Sequence, residues 1–180
     1  LPELVVLLGD DGNVIGECEK SLVHGTNTPL HRAFSCYLFN DRGEVLVTRR
    51  ALSKLTWPGV WTNSFCGHPA PGETFEEAIS RRAAQELGAI VTDITVAIPG
   101  FRYRAVDASG VVENEICPVY TARLEGALDP APSEVAEWSW VSQESLISSR
   151  AHTPFVFSPW MNEQLSQLIE SGRISSENRA

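Results

Sequence analysis

No stretch of this chain is apolar for the roughly 18–20 residues that a bilayer-spanning helix needs. Leu4–Leu8 is too short for a signal-peptide core and has no basic flank. No membrane partner is therefore expected, and a cytoplasmic location is the default. Blocks of like charge are also missing. The net charge is −9, and without a basic patch no nucleic-acid partner is expected. A few Lys and Arg in a cleft can still override the global sign locally. The cysteines are few: Cys18, Cys36, Cys66 and Cys117, with no C-x-x-C pair. They read as free thiols of a reducing compartment, not a disulfide framework. There is no internal repeat and no linker. The chain begins at Leu1 with no Met, so where the native N-terminus lies stays open.

What is there fits one domain over residues 1–180, favoured as a monomer. The 180 residues suffice for a well-buried core, and 43% hydrophobic with 21% charged is ordinary for a globular protein. Leu4–Leu8 and Val14–Glu19 read as strands around the turn Gly9-Asp10-Asp11-Gly12-Asn13. His24–Leu30 reads as a loop. Phe34–Phe39 and Glu44–Arg49 form a hairpin across Asn40-Asp41-Arg42-Gly43. Pro69-Ala70-Pro71-Gly72 breaks the strand that holds Cys66 and His68. Thr74 and Glu77 then make a capping box, and Gly88 ends the helix they open. Further strands are expected at Ile94–Ile98, Phe101–Val106, Val111–Leu124 and Trp138–Val141. Helices are expected at Ser142–Ser149 and Phe155–Glu170, with Gly172–Ala180 fraying. This order indicates an α/β or α+β sandwich with a mixed sheet between helices.

Residues two apart on a strand point to one side. Cys66 and His68 would then share a face, as would Glu113 and Glu115. Two pairs of reactive groups at strand spacing suggest a metal-containing catalytic pocket. Taken singly, each has a blander reading. A loop histidine is often merely solvated, a buried cysteine is an inert hydrophobe, and a lone Lys or Arg is a surface charge.

The segment from Gly67 to Gly88 resembles a Nudix box, with Gly67, Glu73, Arg81, Glu86 and Gly88 in register. Arg82 and Gln85 stand where that pattern has carboxylates, which counts against diphosphate hydrolysis. Asn63-Ser64-Phe65-Cys66-Gly67-His68-Pro69 and Glu113-Asn114-Glu115 are similar to the type 1 isopentenyl-diphosphate isomerases, which adopt the Nudix fold. Leu30-His31-Arg32-Ala33-Phe34-Ser35 and Trp57-Pro58-Gly59-Val60-Trp61-Thr62 extend the likeness.

The resemblance implies an isomerase that interconverts isopentenyl and dimethylallyl diphosphate. It implies metal ligands at His24, His31, His68, Glu113 and Glu115. Such a set suits a borderline divalent ion, Mn²⁺ or Zn²⁺ above all. Glu86 would meet a Mg²⁺ carried by the substrate diphosphate. Lys20, Arg50, Lys54 and Arg82 would contact that diphosphate. Cys66 and Glu115 would be the acid–base pair on opposite faces of the substrate. Tyr103 would bond Glu115 from the neighbouring strand, and Trp160 would face the developing cation. The alternatives are a pyrophosphohydrolase acting on a nucleoside diphosphate derivative, and a binding module without catalysis. Lys20 to Arg32, being polar and rich in Gly and Pro, is expected to bury little until a metal orders it.

Overall fold

The computed structural model describes residues 2–176. Strands β1 (Leu4–Leu8) and β2 (Val14–Glu19) form the first hairpin. A single-turn helix, α1 (Lys20–Val23), leads to the two-residue strand β3 (His31–Arg32). Next come β4 (Phe34–Phe39), β5 (Val45–Arg50), β6 (Trp61–Thr62) and β7 (Phe65–Gly67). Helix α2 (Phe75–Leu87) precedes β8 (Ile90–Ile98), β9 (Arg102–Val106), β10 (Val112–Ile116), β11 (Val119–Glu125) and β12 (Val135–Val141). Helix α3 (Gln143–His152), a 3₁₀ turn at Pro154–Val156 and α4 (Pro159–Glu170) follow.

The strands make two sheets. One has the order β2-β1-β3-β10-β9; the other has β12-β5-β4-β11-β8, with β6 paired to β5 and β7 to β4. Most pairs are antiparallel, but β3–β10 and β4–β11 are parallel. The chain crosses between sheets at these two parallel neighbours. Only Ala33 separates β3 from β4, and only Cys117-Pro118 separates β10 from β11. The crossings run side by side: Ala33 N–H donates to Ile116 O (3.0 Å) and Ser35 N–H to Pro118 O (3.1 Å). The single strand expected over Val111–Leu124 is therefore two strands in different sheets. Pro118 has no N–H to give a continuing ladder, so the pairing stops there.

Alternation along β4 decides which helix lies on which face. Phe34, Cys36 and Leu38 pack toward α2 with Ala78, Ile79, Ala83 and Leu87. Tyr37 packs on the other side with Leu146 of α3 and Trp160, Met161, Leu165 and Leu168 of α4. The seven-stranded sheet is thus mixed and covered by helices on both faces. Ile174 is also fully buried in this second cluster, so the tail that composition marked for fraying is docked at that residue. The remainder of that expected frayed tail, 177–180, lies outside the described residues.

Helix α2 begins at the expected capping box of Thr74 and Glu77. It ends at Gly88, which is left-handed (φ 57°) and where an added Cβ would come within 2.7 Å of Asp129 O. The Lys20–Arg32 segment buries more than its polarity suggests. Val23, Thr28, Leu30 and His31 are buried. Leu8 N–H donates to Leu30 O (2.9 Å) and Val112 N–H to Gly25 O (2.8 Å), so both sides of the segment are tied to strands. No described helix is long and apolar enough to cross a membrane.

Candidate active site

The crossing of β3 and β10 brings the reactive residues together. His31 on β3 lies opposite Glu115 on β10 in register, and Glu115 lies opposite Tyr103 on β9. His24 follows α1 and His68 follows β7. The ring centroids of His24, His31 and His68 are 5.1–5.7 Å apart. One ligand atom from each of these rings and from Glu115 lies within 4.8 Å of the others. Glu115 Oε1 is 3.1 Å from His68 Nε2 and 3.3 Å from His31 Nε2. Glu113 joins the group, its Oε2 2.9 Å from His24 Nε2.

His24, His31, His68 and Glu115 could together hold a metal ion. His24 Nε2, His31 Nε2 and Glu113 Oε2 are buried, yet none makes an aligned hydrogen bond. His31 Nδ1 is 2.9 Å from Pro29 O. A carbonyl only accepts, so Nδ1 carries the proton and the Nε2 lone pair points inward. Three imidazoles and two carboxylates converge, with His68 Nε2 and Glu115 Oε1 at hydrogen-bond distance. That donor set fits a borderline divalent cation. Burial raises Glu115, but the contacts with His31 and His68 outweigh it and hold the carboxyl well below its usual range. Burial lowers His68, while for His31 the contacts with Glu115 overcome burial and raise it.

A cavity of about 520 Å³ opens beside this cluster. Cys66 and Glu115 both line it, one carried by each sheet. Gly67, between Cys66 and His68, lets α2 come close. A Cβ there would stand 2.8 Å from Arg82 Cγ and 2.9 Å from Phe34 Cε1. The Cys66 thiol is pushed up to about 11, chiefly by burial, against the pull of hydrogen bonds from Ser35 and Asn63. It is therefore protonated at neutral pH, while Glu115 is ionised. Tyr103 Oη donates to Glu115 Oε2 at 2.9 Å. Burial and the Glu115 charge raise the phenol well above its usual range, which keeps it a donor. Trp160 is 2% exposed. Its ring meets Trp57 edge-on at 5.4 Å and Tyr103 at 5.7 Å, and the Arg50 guanidinium lies 5.7 Å from its centroid.

Lys20, Arg50, Lys54 and Arg82 line the same cavity. Arg50 is fixed by two bonds to Thr56 O (3.0 and 2.9 Å). Lys20 pairs with Glu3 at 3.0 Å. Lys54 pairs with Glu134, and Arg82 with Glu86 one turn along α2. Glu86 faces this cationic end and is not part of the histidine cluster. Arg81 does not line the cavity. It holds Glu73 with two 2.7 Å bonds and donates to His68 O at 3.1 Å, so it braces the loop carrying His68. Sequence reasoning did not find Glu3 and Glu134. Asn63 and Ser35 fell within the recognised motifs but were given no role.

The comparisons with known proteins agree with this geometry. Residues 29–161 match the NUDIX domain family. The fold is similar to the solved structure of DR0079 from Deinococcus radiodurans, with a TM-score of 0.69 at 20% identity over 92% of this chain and 98% of that one. A MutT protein from Methanosarcina mazei superposes with a TM-score of 0.60, also at 20% identity, over 83% of this chain and 97% of its own. Such likeness speaks for the fold alone. Two curated relatives, from Paenarthrobacter aurescens and Leifsonia xyli, are named isopentenyl-diphosphate Delta-isomerase. The first is 59% identical over 96% of this chain and 94% of its own. The second is 60% identical over 92% of this chain and 91% of its own. Identity of that order along nearly the whole length is what a shared fold alone does not produce, and the chain belongs to the isopentenyl-diphosphate Delta-isomerase family of the Nudix fold.

Proposed function

We propose that this chain interconverts isopentenyl and dimethylallyl diphosphate, with Cys66 and Glu115 as the groups that give and take protons. The observation that carries this reading is a single cavity with three kinds of wall. It holds a protonated thiol and an ionised carboxylate, it has aromatic faces, and one end is cationic.

The reaction adds a proton to one end of an unactivated alkene and removes one two carbons away. The Cys66–Glu115 pair rests with one proton to give and one vacancy to receive. Tyr103 holds the second oxygen of Glu115, so the carboxylate presents one geometry and has a phenol through which a proton can pass. Protonation leaves a tertiary cation that water would trap. Tyr103 and Trp160 line the cavity as an aromatic wall backed by Trp57, and the Trp160 ring offers a π face to positive charge. Lys20, Arg50, Lys54 and Arg82 bind the diphosphate, Lys20 and Lys54 giving up Glu3 and Glu134 to do so, and so place the alkene against the acid and base.

His24, His31, His68, Glu113 and Glu115 would hold a divalent ion, for which Mn²⁺ or Zn²⁺ fits the nitrogen-rich donor set. When bound, it supplies the positive charge that fixes Glu115 and offsets two buried carboxylates. Glu86, at the cationic end of the cavity, would meet Mg²⁺ carried with the diphosphate. The hydrolase alternative has less support. Arg82 lines the cavity and pairs with Glu86 where a carboxylate cluster would hold metals, and Gln85 accepts from Arg82 (3.2 Å) and Arg81 (3.4 Å).

The test is incubation with isopentenyl diphosphate and Mg²⁺ in deuterated water, followed by NMR. Dimethylallyl diphosphate carrying deuterium is expected. Release of phosphate with no deuterated product would replace the isomerase reading with the hydrolase one.

A further inference from the structure

Behind Cys66 lies a buried polar chain that the proton chemistry above does not use. Tyr37 Oη donates to Gln164 Oε1 at 3.0 Å, and Gln164 Nε2 donates to Ser35 Oγ at 2.9 Å. Ser35 Oγ is in turn 3.4 Å from Cys66 Sγ and 3.4 Å from Cys117 Sγ. Tyr37, Gln164 and Ser35 are each 0% exposed. A buried polar side chain costs stability unless it is fully bonded. Three in series, ending on a reactive sulfur, call for a reason beyond packing.

A second path reaches the same sulfur. Trp160 Nε1 donates to Asn63 Oδ1 at 3.0 Å. An indole N–H only donates, so this bond fixes which end of the Asn63 amide is oxygen. Asn63 Nδ2 donates to the carbonyls of Cys36 (3.1 Å) and Phe65 (2.8 Å) and lies 3.4 Å from Cys66 Sγ. Oδ1, which also accepts from Thr62 Oγ1 at 2.9 Å, lies 3.4 Å from the same sulfur, so the fixed amide contacts the thiol through both its ends. Ser35 Oγ accepts from Gln164, and its own hydrogen is free to turn to either thiol. Trp160 and Gln164 are four apart on α4 and so lie on one face of that helix. One helical turn therefore reaches the Cys66 sulfur twice, through Asn63 and through Ser35.

We propose that Ser35 and Gln164 are positioning residues for Cys66: the Tyr37–Gln164–Ser35 chain places a hydroxyl donor on the sulfur and holds the thiol in the orientation that the isomerisation uses. The assignment rests on the isomerase reading above. It differs from a packing role because only a positioning role changes the hydrogen bonding of the thiol itself.

The test uses Ser35→Ala, the smallest truncation, with Gln164→Met as a second variant that keeps volume. Each is expected to lower kcat at least about tenfold, with KM for isopentenyl diphosphate within about twofold, since neither residue touches the diphosphate. The double variant should be no more than about threefold worse than either single one, because both act through one chain. The S–H stretching band of Cys66, isolated as a Raman difference against Cys66→Ala, should shift in Ser35→Ala. A Ser35→Ala protein retaining more than half of wild-type kcat overturns the proposal. So does a loss of kcat with an unmoved S–H band, which would mean general loosening of the core. If the wild-type chain itself fails to isomerise, the isomerase reading falls, while the Raman shift still reports whether Ser35 bonds the thiol.

Discussion

Cys36, Cys66 and Cys117 sit close together, and the surroundings give one of them chemistry. Cys36 and Cys117 are buried, whereas Cys66 opens to the cavity beside Glu115. Cys66→Ala and Glu115→Gln should each lower isomerisation about 10²–10⁴-fold while the circular dichroism spectrum stays that of the wild type. A Cys66→Ala enzyme with more than about a tenth of wild-type turnover would remove the thiol from the reaction. The site was only partly readable residue by residue. The histidines and the Glu113/Glu115 pair stood out because reactive residue types recur at strand spacing and match a known pattern. Glu3, Glu134 and Gln164 did not, because their partners lie 17, 80 and 129 residues away in sequence. A counter-ion or a buried amide has no local signature; only the folded sheet order brings Gln164 to Ser35.

At the scale of elements, local rules served well wherever the partner was local. The Thr74/Glu77 box and Gly88 bound α2 as expected, since each satisfies the helix's own end groups. The rules failed at Pro118, where the apolar alternation of Val111–Leu124 continues but the sheet does not. Periodicity reports which face is buried and not against which sheet, so the change of partner was invisible until the fold was seen. The turn before α2 adds a pH dependence. Bonding to Arg81 is the main cause holding Glu73 below the usual carboxylate range, and the Ala70 N–H adds to it. A depressed folded pKa means that this stabilisation is present above the unfolded value of about 4.3 and is lost as pH falls through the folded value. Glu73→Gln should cost about 1–2 kcal/mol at pH 7. Its melting temperature should then fall less than that of the wild type on acidification from about pH 5 to pH 3. Parallel acid-dependent losses in the two proteins would show that the Glu73–Arg81 pair contributes nothing to acid sensitivity.

Over the whole molecule, charge is distributed against its own sum. The chain carries −9 overall, yet four cations line one end of the cavity and three imidazoles and two carboxylates crowd beside it. Glu113 and Glu115 are both buried, on the strand where the five-stranded sheet passes into the other, so their charge is a cost borne by the entire fold. A bound divalent ion should relieve it. An ion held at about a hundredfold above its Kd contributes about 2.7 kcal/mol. For a chain of this length that corresponds to roughly 5–10 °C in Tm. A strong chelator should therefore lower Tm by that order. It should also raise hydrogen exchange in β10 and around His24, while the Leu8 amide stays protected by its bond to Leu30 O. That outcome differs from wholesale ordering of residues 20–32 by metal, because Val23 and Leu30 bury their side chains without needing the ligands. Glu86→Gln separates the two ends of the cavity: it should weaken diphosphate binding yet retain the tightly bound ion on metal analysis. His24→Ala should do the reverse, losing the ion and reproducing the chelator's Tm. If chelation leaves both Tm and exchange unchanged, the cluster is held by its own hydrogen bonds and is not a metal centre.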